Sequence, residues 1–406
     1  LSAAWALHRR HGVTVFEREA RAGGHSHTVD VPVNGRSSPA DTGFLVYNEV
    51  TYPNLVKLFA RLGVPTKESD MSFSVRCERC DLEWCGTGLS GVFAQPSNLL
   101  RPSFHGMLLE IARFNREAPR LLDEPGAGSL TLDAWLAREG YGAAFRNHYL
   151  IPMAAAVWSS GPAAMETFPA ATLVRFFRNH GFLGVTTQLR WRTVEGGSRE
   201  YVKLLAAPFR ERIHLETPVA KVRRDAHGVE LVFSDGGSRR FDGVLIAAHA
   251  DEALAMLEEP TADETRLLGA WRYSRNETLL HSDASLLPRR QGARASWNYH
   301  LGDCEAPWTS ATLHYWINRL QGLPRETDWI VSLNPTREPA AGTVARRLLY
   351  THPVFTRESV ATQAGLPGLN GRNRTWFAGA YFGYGFHEDA LSAGLAAAAS
   401  LGAEPL

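Results

Sequence analysis

The chain has 406 residues, of which 44% are hydrophobic and 21% charged, and its formal net charge is +1. This length supports a large buried core and exceeds one ordinary domain, so we expect two domains. A balanced charge without a long run of one sign argues against nucleic-acid binding. Since no apolar run reaches the roughly 18 residues that span a bilayer, we expect a cytoplasmic protein, with peripheral membrane contact and oligomeric state left open.

The first predicted elements resemble the second half of a βαβ unit. The chain opens as a helix, and after Gly12 the apolar strand Val13 to Phe16 ends at Glu17. A carboxylate in that position can accept both ribose hydroxyls of a dinucleotide, and Gly23-Gly24 lets the backbone approach a pyrophosphate. The alternative is an exposed Glu and a flexible turn. We expect the first strand and its Gly-rich turn upstream of Leu1, so that the chain is truncated at its N-terminus.

The next segment pairs a glycine with an aromatic residue. In Asp41-Thr42-Gly43-Phe44, a glycine beside a ring would let a flat ligand lie against the backbone. By itself the segment is also an ordinary turn before a strand. A helix is predicted from about 52 to 62, ending at Gly63.

Three cysteines follow in the pattern C-x-x-C-x4-C: Cys77, Cys80 and Cys85. The segment is predicted to be a β-hairpin with two of these cysteines near its tip. A structural zinc site needs four ligands, and the nearest fourth candidate in sequence is His105, while Cys304 is far away. We therefore expect no metal but a reactive or merely tolerated cluster of thiols in a reducing compartment, with a zinc site as the alternative.

The remaining elements alternate between two predicted domains. Largely helical patterns follow the hairpin, and Gly196-Gly197-Ser198 precedes a helix from about 199 to 209. Strands are predicted at 213–219 and 229–233, the latter turning back as 241–248. We expect an α/β fold in which a Rossmann-like domain is interleaved with an α+β substrate domain of mixed sheet and helices. The predicted boundaries are 1–68, 189–250 and 351–406 for the first, and 69–188 and 251–350 for the second.

The C-terminal segment combines a strand, a loop and a helix. A short strand ends at Gly379, an aromatic and Gly-rich loop follows, and an Ala-rich helix is predicted from about 390 to 400. The positive end of a helix dipole at this position suits the anionic edge of a reduced flavin. An Ala-rich helix with a Gly-rich entry loop is the alternative.

These segments together resemble the FAD-binding elements of the flavin-containing amine oxidase and phytoene-desaturase superfamily, especially a bacterial branch of predicted NAD/FAD-binding proteins. The resemblance rests on Val13 to Gly24, Asp41 to Phe44, Gly196 to Ser198 with Val219, and Trp376 to Gly394, and it covers nearly the whole chain. It implies FAD as the cofactor.

The resemblance also implies the cofactor contacts. Glu17 would bind the adenosine ribose, the paired glycines the phosphates and the Val219 backbone the adenine. The full set of implied FAD contacts is Glu17, Arg21, Gly23, Gly24, His25, Gly43, Phe44, Val219, Gly379, Ala380, Gly385, Phe386, His387 and Ala390.

Three features depart from the family pattern. His25 stands where an Arg commonly follows the paired glycines, so phosphate neutralisation is weaker or comes from Arg21. Ala380 replaces an acidic residue. Amine oxidases of this superfamily usually place a Lys near the flavin, yet no Lys occurs after Lys221, which argues against amine oxidation.

The expected function is an FAD-dependent oxidoreductase that abstracts a hydride from a substrate C–H bond. The catalytic candidates are Tyr384, His387 and Glu388, and the aromatic candidates for the pocket wall are Trp158, Trp297, Tyr315 and Trp316. Family context and aromatic abundance favour a lipid or fatty-acyl desaturase or isomerase. The alternatives are an amine oxidase acting on a small amine and a non-catalytic carrier of lipids or dinucleotides with the same fold.

Overall fold

The computed structural model describes residues 1–184, 189–306 and 310–406. The strands, in chain order, are β1 (Val15–Phe16), β2 (Thr28–Val33), β3 (Arg36–Asp41), β4 (Tyr47–Asn48), β5 (Thr66–Ser69), β6 (Phe73–Cys77), β7 (Leu82–Cys85), β8 (Trp191–Val194), β9 (Ile213–His214), β10 (Val219–Asp225), β11 (Gly228–Phe233), β12 (Ser238–Phe241), β13 (Val244–Ile246), β14 (Arg272–His281), β15 (Trp297–Leu301), β16 (Leu313–Trp316), β17 (Ile330–Leu333), β18 (Val344–Val354) and β19 (Thr375–Phe377).

The α-helices, in chain order, are α1 (Ser2–Leu7), α2 (Pro53–Leu62), α3 (Gly88–Val92), α4 (Pro102–Glu117), α5 (Leu132–Arg138), α6 (Ala143–Phe145), α7 (Ile151–Trp158), α8 (Pro162–Glu166), α9 (Ala170–Asn179), α10 (Arg199–Ala206), α11 (Ala250–Met256), α12 (Ala262–Leu268), α13 (Ile317–Leu320), α14 (Arg357–Thr362) and α15 (His387–Ser400). A π-helical segment, Arg146–Leu150, joins α6 to α7. No described helix is long and apolar enough to cross a membrane.

Two pairs of short parallel strands belong to the first part of the fold. β1 pairs with β9, and β13 pairs with β19. Helices α1 and α15 pack together so closely that a Cβ on Gly394 would lie 2.7 Å from the Ser2 hydroxyl. Ligands of parallel α/β sheets bind beyond the carboxyl ends of the strands, which here are followed by Glu17 and Gly379.

A seven-stranded sheet forms the centre of the second part. Its order is β18-β14-β17-β16-β15-β6-β7, and among the described strands of this sheet only the β15–β6 pair is parallel. Helices α4 to α9 build a layer with a large aromatic core that includes the fully buried Phe114, Phe145 and Phe177. Helix α7 and the π-helical segment contact the sheet. Sheet and helices therefore share one hydrophobic core.

Most of the elements predicted from sequence are confirmed. The hairpin is formed by β6 and β7, and α2 ends at Gly63, whose φ of 65° is left-handed. The predicted α/β class with an α+β second part is also confirmed.

Three element predictions were wrong in detail. The partner of β11 in the hairpin is β12. The apolar strand β13 instead pairs with β19, because burying both of its faces between layers is more favourable than leaving one face exposed in a hairpin. The strand predicted at 213–219 is broken at Glu216, where φ is 50°. Helix α15 begins at His387, three residues before the predicted start, because the Asp389 side chain caps its first turn.

The predicted domain division stays a prediction. One observation bears on its last boundary: β18 runs to Val354 while still paired with β14, so the second sheet continues past residue 350.

Candidate functional site

A glycine-containing loop after β1 begins the site. Gly23 and Gly24 have φ values of 118° and 57°, conformations that L-residues other than glycine rarely adopt. The Arg21 guanidinium donates to the carbonyl oxygen of Gly24 at 2.7 Å and to that of Ser26 at 3.5 Å. Arg21 therefore holds the loop in shape and places a positive charge beside it.

Glu17 lies at the carboxyl end of β1, as expected. One of its carboxylate oxygens accepts the Glu19 N–H at 3.0 Å. Its backbone carbonyl accepts the Thr217 N–H at 2.8 Å, which brings the segment leading to Val219 beside it. The two residues that the resemblance assigns to the adenosine end of FAD thus lie on neighbouring segments of the chain's fold.

Gly43 lies directly against the loop. A Cβ at this position would be 2.3 Å from the His25 carbonyl oxygen, so no side chain fits without moving the backbone. The same carbonyl accepts the Phe44 N–H at 2.8 Å. These contacts explain why a glycine precedes the aromatic residue.

Phe44 stacks on His387 at the start of α15. Their ring centroids are 4.0 Å apart, and the His387 Nε2 lies 3.1 Å from the Ser26 hydroxyl, which also contacts the Tyr201 hydroxyl. Burial, and then the nearby His25, lower the pKa of His387 to about 3. His387 is therefore a neutral imidazole at physiological pH.

Two more histidines lie near Tyr350 on β18. The His25 ring stacks on the Tyr350 ring with centroids 4.8 Å apart, and the His352 ring is 5.3 Å from His25. Burial first, and then nearby charges, lower the pKa of His25 to about 4 and that of His352 to about 3. The His25 Nε2 is buried without a hydrogen-bond partner among the described residues.

Asp41 organises the other side of the glycine pair. Its carboxylate accepts the Thr28 hydroxyl at 2.6 Å, the Ser198 N–H at 2.9 Å and the Gln321 amide at 2.7 Å. Burial raises the pKa of Asp41, while these hydrogen bonds oppose that shift. Since Ser198 precedes α10 and Gln321 follows α13, this carboxylate ties the two parts of the fold together.

The loop after β19 places the remaining cofactor candidates. A Cβ on Gly379 would lie 2.4 Å from the Tyr381 ring, so packing alone requires glycine there. Ala380 starts a short 3-10 turn and accepts the Gly385 N–H at 3.1 Å. Phe386 accepts the Ala390 N–H at 3.1 Å.

Asp389 caps this loop from within α15. Its carboxylate accepts the Phe386 N–H at 2.8 Å. Burial raises the pKa of Asp389 to about 6, against the opposing effect of its backbone hydrogen bonds.

Glu388, one of the three catalytic candidates, is engaged elsewhere. Its two carboxylate oxygens accept the N–H groups of Asn54 and Leu55, both at 3.0 Å, at the start of α2. This carboxylate caps a helix that lacks its own side-chain cap. Tyr384 is half-buried, and burial raises its pKa despite the nearby Arg175.

A small cavity of about 50 Å³ opens between Gly43 and the seven-stranded sheet. Its lining consists of Thr42, Gly43, Leu45, Ser159, Thr278, Tyr315, Val331, Leu333, Tyr350 and His352. Among the aromatic wall candidates, Tyr315 lines it and Trp297 packs edge-on against Tyr315 with centroids 4.8 Å apart. Trp158 lies instead beside the C-terminal loop, donating to the Tyr384 carbonyl at 3.0 Å. Trp316 donates to Asp328, away from the cavity.

One observation fits FAD. The His25 Nε2 is a buried polar atom without a hydrogen-bond partner among the described residues, so it is available to a ligand, and the backbone of the same residue lies against Gly43.

Sequence reasoning missed several residues that shape this site. Tyr350 contacts Thr42 at 2.8 Å and His27 at 3.0 Å through its hydroxyl. Nothing in the local sequence marks Tyr350, because β18 reaches the loop only through tertiary packing. The sequence marks both Asp41 and the Gly-Gly-Ser segment, but it gives no sign of the hydrogen bond from the Ser198 N–H to the Asp41 carboxylate.

The family comparison gives one match. A family model described as flavin containing amine oxidoreductase matches residues 1–276. No curated protein sequence matches the chain significantly.

Solved structures of the same architecture are similar over nearly the whole chain. Cyclohexylamine oxidase from Brevibacterium oxydans is 17% identical with a TM-score of 0.69, covering 98% of this chain and 95% of that one. A putrescine oxidase double mutant is 15% identical with a TM-score of 0.68, covering 99% and 96%. A fatty acid isomerase from P. acnes that produces CLA is 13% identical with a TM-score of 0.64, covering 97% and 94%. At these identities the likeness establishes the fold alone.

Proposed function

Because the chain belongs to the family of flavin-containing amine oxidoreductases and is an FAD-dependent oxidoreductase, we propose that it acts on an uncharged, lipid-like substrate. The reaction is the removal of a hydride from a C–H bond, leading to desaturation or isomerisation. When bound, FAD supplies the two-electron acceptor for this step.

The observation that carries the proposal is the chemistry of the cavity beside Gly43. Its described lining contains no carboxylate, lysine or arginine side chain, and His352 is neutral because burial lowers its pKa to about 3. A protonated amine would therefore meet no opposite charge in this wall, and burying it unpaired is costly. Leu45, Val331 and Leu333 offer apolar surface to one part of an alkyl or isoprenoid chain, since a cavity of about 50 Å³ does not enclose a whole chain.

A few polar groups supply orientation in this apolar wall. Tyr315 on β16 and Tyr350 on β18 both line the cavity, and the Tyr350 hydroxyl is already fixed by Thr42 and His27. Ligand pockets commonly combine an apolar surface with a small number of such fixed polar groups. We assign Tyr350 the role of positioning the substrate.

The aromatic cluster beside the C-terminal loop supports the same substrate class. Phe386 stacks on Phe176 with centroids 5.0 Å apart, and Trp158 packs on Phe176 at 4.8 Å. These rings cover one side of the loop that precedes α15 with apolar surface, which excludes water from it. His387 and Tyr384 remain the candidates to face the reacting carbon.

Anaerobic titration of the FAD-loaded protein tests the proposal. The compounds tested in parallel are long-chain fatty acids, their esters, isoprenoids, putrescine and cyclohexylamine. Reduction of the flavin is followed as a loss of absorbance at about 450 nm. We expect bleaching or double-bond migration, detected by mass spectrometry of the lipid, with the apolar compounds only. Reduction by the amines alone would contradict the substrate class while leaving the flavoenzyme assignment intact.

A matched pair of variants tests whether the substrate binds in the cavity. Leu333→Ala enlarges the cavity wall, whereas Leu349→Ala removes the same atoms from a side chain that is 51% exposed. We expect a change of at least about tenfold in KM for the apolar substrate in the first variant only, the effect of about 1.4 kcal/mol of binding. Equal kinetics in both variants would place the substrate elsewhere.

A further inference from the structure

Four metal-ligating side chains meet at one end of the seven-stranded sheet, away from the cavity beside Gly43. They are Cys77, Cys80, His148 and Cys304, and one ligand atom from each lies within 4.8 Å of the others. Four atoms placed tetrahedrally about 2.3 Å from a zinc ion lie about 3.8 Å apart, so the separations are close to those of a coordinated ion.

Three separate segments deliver these side chains. Cys77 ends β6 and Cys80 follows in the hairpin turn, while Cys304 comes shortly after β15, the parallel neighbour of β6. Parallel strands end at the same edge of a sheet, which brings both chain ends together. His148 comes from the π-helical segment, a distortion that is frequent at functional sites.

Each segment is held in place by contacts outside the cluster. The Glu78 N–H donates to the Leu301 carbonyl at 2.8 Å, and the Arg79 N–H to the Gly302 carbonyl at 3.1 Å. The Asn147 amide donates to the Cys304 carbonyl at 3.0 Å, and the Trp84 indole to the His148 carbonyl at 3.3 Å. The four side chains therefore converge on a pre-formed framework.

Two observations indicate a ligand at this point. The His148 Nε2 is buried without a hydrogen-bond partner among the described residues, an expensive state for a ring nitrogen. The Cys80 and Cys304 sulfur atoms are 3.3 Å apart as free thiols. An ion that accepts the nitrogen and all three sulfurs satisfies these groups together.

We propose that Cys77, Cys80, His148 and Cys304 bind one structural Zn²⁺ ion. Each thiol loses its proton to solvent on binding, so the site carries one net negative charge. The Arg101 guanidinium, which donates to the Cys80 carbonyl at 3.1 Å, lies beside it to offset that charge. With four protein ligands the site is closed, which is typical of structural rather than catalytic zinc.

This site differs from the one considered from the sequence. Cys85 lies outside it, with its sulfur 3.1 Å from the Thr87 hydroxyl, and the His105 Nε2 contacts the Leu99 carbonyl at 3.0 Å. The expectation of no metal rested on the lack of a fourth ligand nearby in sequence. Folding supplies two ligands from distant segments instead.

Elemental analysis of the full chain, purified with and without added ZnSO₄, tests the proposal. We expect about one zinc per chain in the wild-type protein. The zinc content should be at least about tenfold lower in Cys80→Ser, Cys304→Ser and His148→Gln. The matched controls are Cys85→Ser and His105→Gln, which keep the metal. Loss of zinc in the first set is accompanied by a lower Tm, since the ion joins three segments.

Zinc K-edge X-ray absorption of the wild-type protein makes the test independent of how the variants fold, and the expected shell is three sulfurs and one nitrogen. Three results would overturn the proposal. The first is a protein whose four cysteines are all reduced but which binds no zinc when ZnSO₄ is in excess, and the second is zinc retained in all variants. The third is a Cys80–Cys304 disulfide, detected as a mass lower by about 2 Da and the loss of two free thiols.

Discussion

The carbonyl oxygen of His25 determines which residue can occupy position 43. Because a Cβ at Gly43 would lie 2.3 Å from that oxygen, any larger residue must displace one of the two backbone segments. The same contact positions Phe44 against His387. A single missing methyl group therefore allows the two backbone segments to pack against each other beside the proposed cofactor site.

We expect Gly43→Ala to reduce both FAD content and stability. The forced backbone shift should lower the free energy of unfolding by about 1–3 kcal/mol. FAD content is read from the absorbance ratio of purified protein and stability from urea denaturation. The control is Gly12→Ala, since a Cβ at Gly12 meets nothing within 4 Å. Equal FAD content in the two variants would remove Gly43 from the cofactor site.

At the scale of elements, one carboxylate connects two helices. Glu388 in the first turn of α15 accepts both available N–H groups at the start of α2. A negative charge there also interacts favourably with the α2 dipole. Helix capping thus accounts for Glu388, which the sequence placed among the catalytic candidates.

We expect Glu388→Gln to destabilise the protein without slowing its chemistry. Loss of one acceptor and of the charge should lower the free energy of unfolding by about 1–2 kcal/mol. The rate of flavin reduction should stay within about twofold, a difference of under about 0.5 kcal/mol in barrier. Glu49→Gln is the control, since the Glu49 side chain is 66% exposed. A large loss of rate with unchanged stability would restore the catalytic role.

A second element-scale feature links three strands of the large sheet. The Ser332 hydroxyl on β17 lies 2.6 Å from His281 Nε2 on β14 and 2.6 Å from His314 Nδ1 on β16. Since His281 Nδ1 accepts the Asp283 N–H, the His281 proton is on Nε2 and is donated to Ser332. Ser332 then donates to His314, which determines the tautomer of both rings.

We expect Ser332→Ala to cost about 2–4 kcal/mol of stability, because two buried ring nitrogens lose their partner at once. Ser238→Ala on the exposed strand β12 is the matched control and should change stability by less than about 0.5 kcal/mol. The comparison is made by urea denaturation at pH 7.5. Equal effects would mean that water replaces the Ser332 hydroxyl.

At the scale of the whole molecule, buried or half-buried neutral histidines are spread through both parts of the fold. Burial, as the largest cause, lowers the pKa of each of them to about 3 or 4: His25, His27, His180, His281, His352 and His387. The unfolded chain binds protons at these residues near pH 6.5, whereas the folded chain does not. Stability therefore falls as the pH drops from 6.5 toward 4.

We expect the free energy of unfolding to decrease between pH 7.5 and pH 5.5 by up to about 1.4 kcal/mol per pH unit for each such histidine below its unfolded pKa. Asp389 opposes this trend, because its raised pKa of about 6 adds stability as the pH falls. His352→Asn should flatten the dependence measured by urea denaturation. His227→Asn, at an exposed position, should leave it unchanged. A pH-independent free energy over this range would contradict the prediction.

The local pattern of residues was sufficient to predict the elements that we assign to FAD binding. A strand ending in Glu17, paired glycines at 23 and 24, and a glycine-ended strand before α15 are signals contained within short stretches of chain. Backbone conformation and hydrophobic periodicity are local properties, so these elements could be assigned without knowing what they contact.

Contacts between distant segments were decided only by tertiary structure. Tyr350 reaches the His25 loop, and Gln321 reaches Asp41, through strand pairing and packing that no local signal encodes. His148 and Cys304 join the Cys77–Cys80 pair for the same reason. The sequence therefore determined the family and the elements that we assign to FAD, while the cavity, the capping role of Glu388 and the proposed zinc site arose from long-range packing, since each requires side chains that only the folded chain brings together.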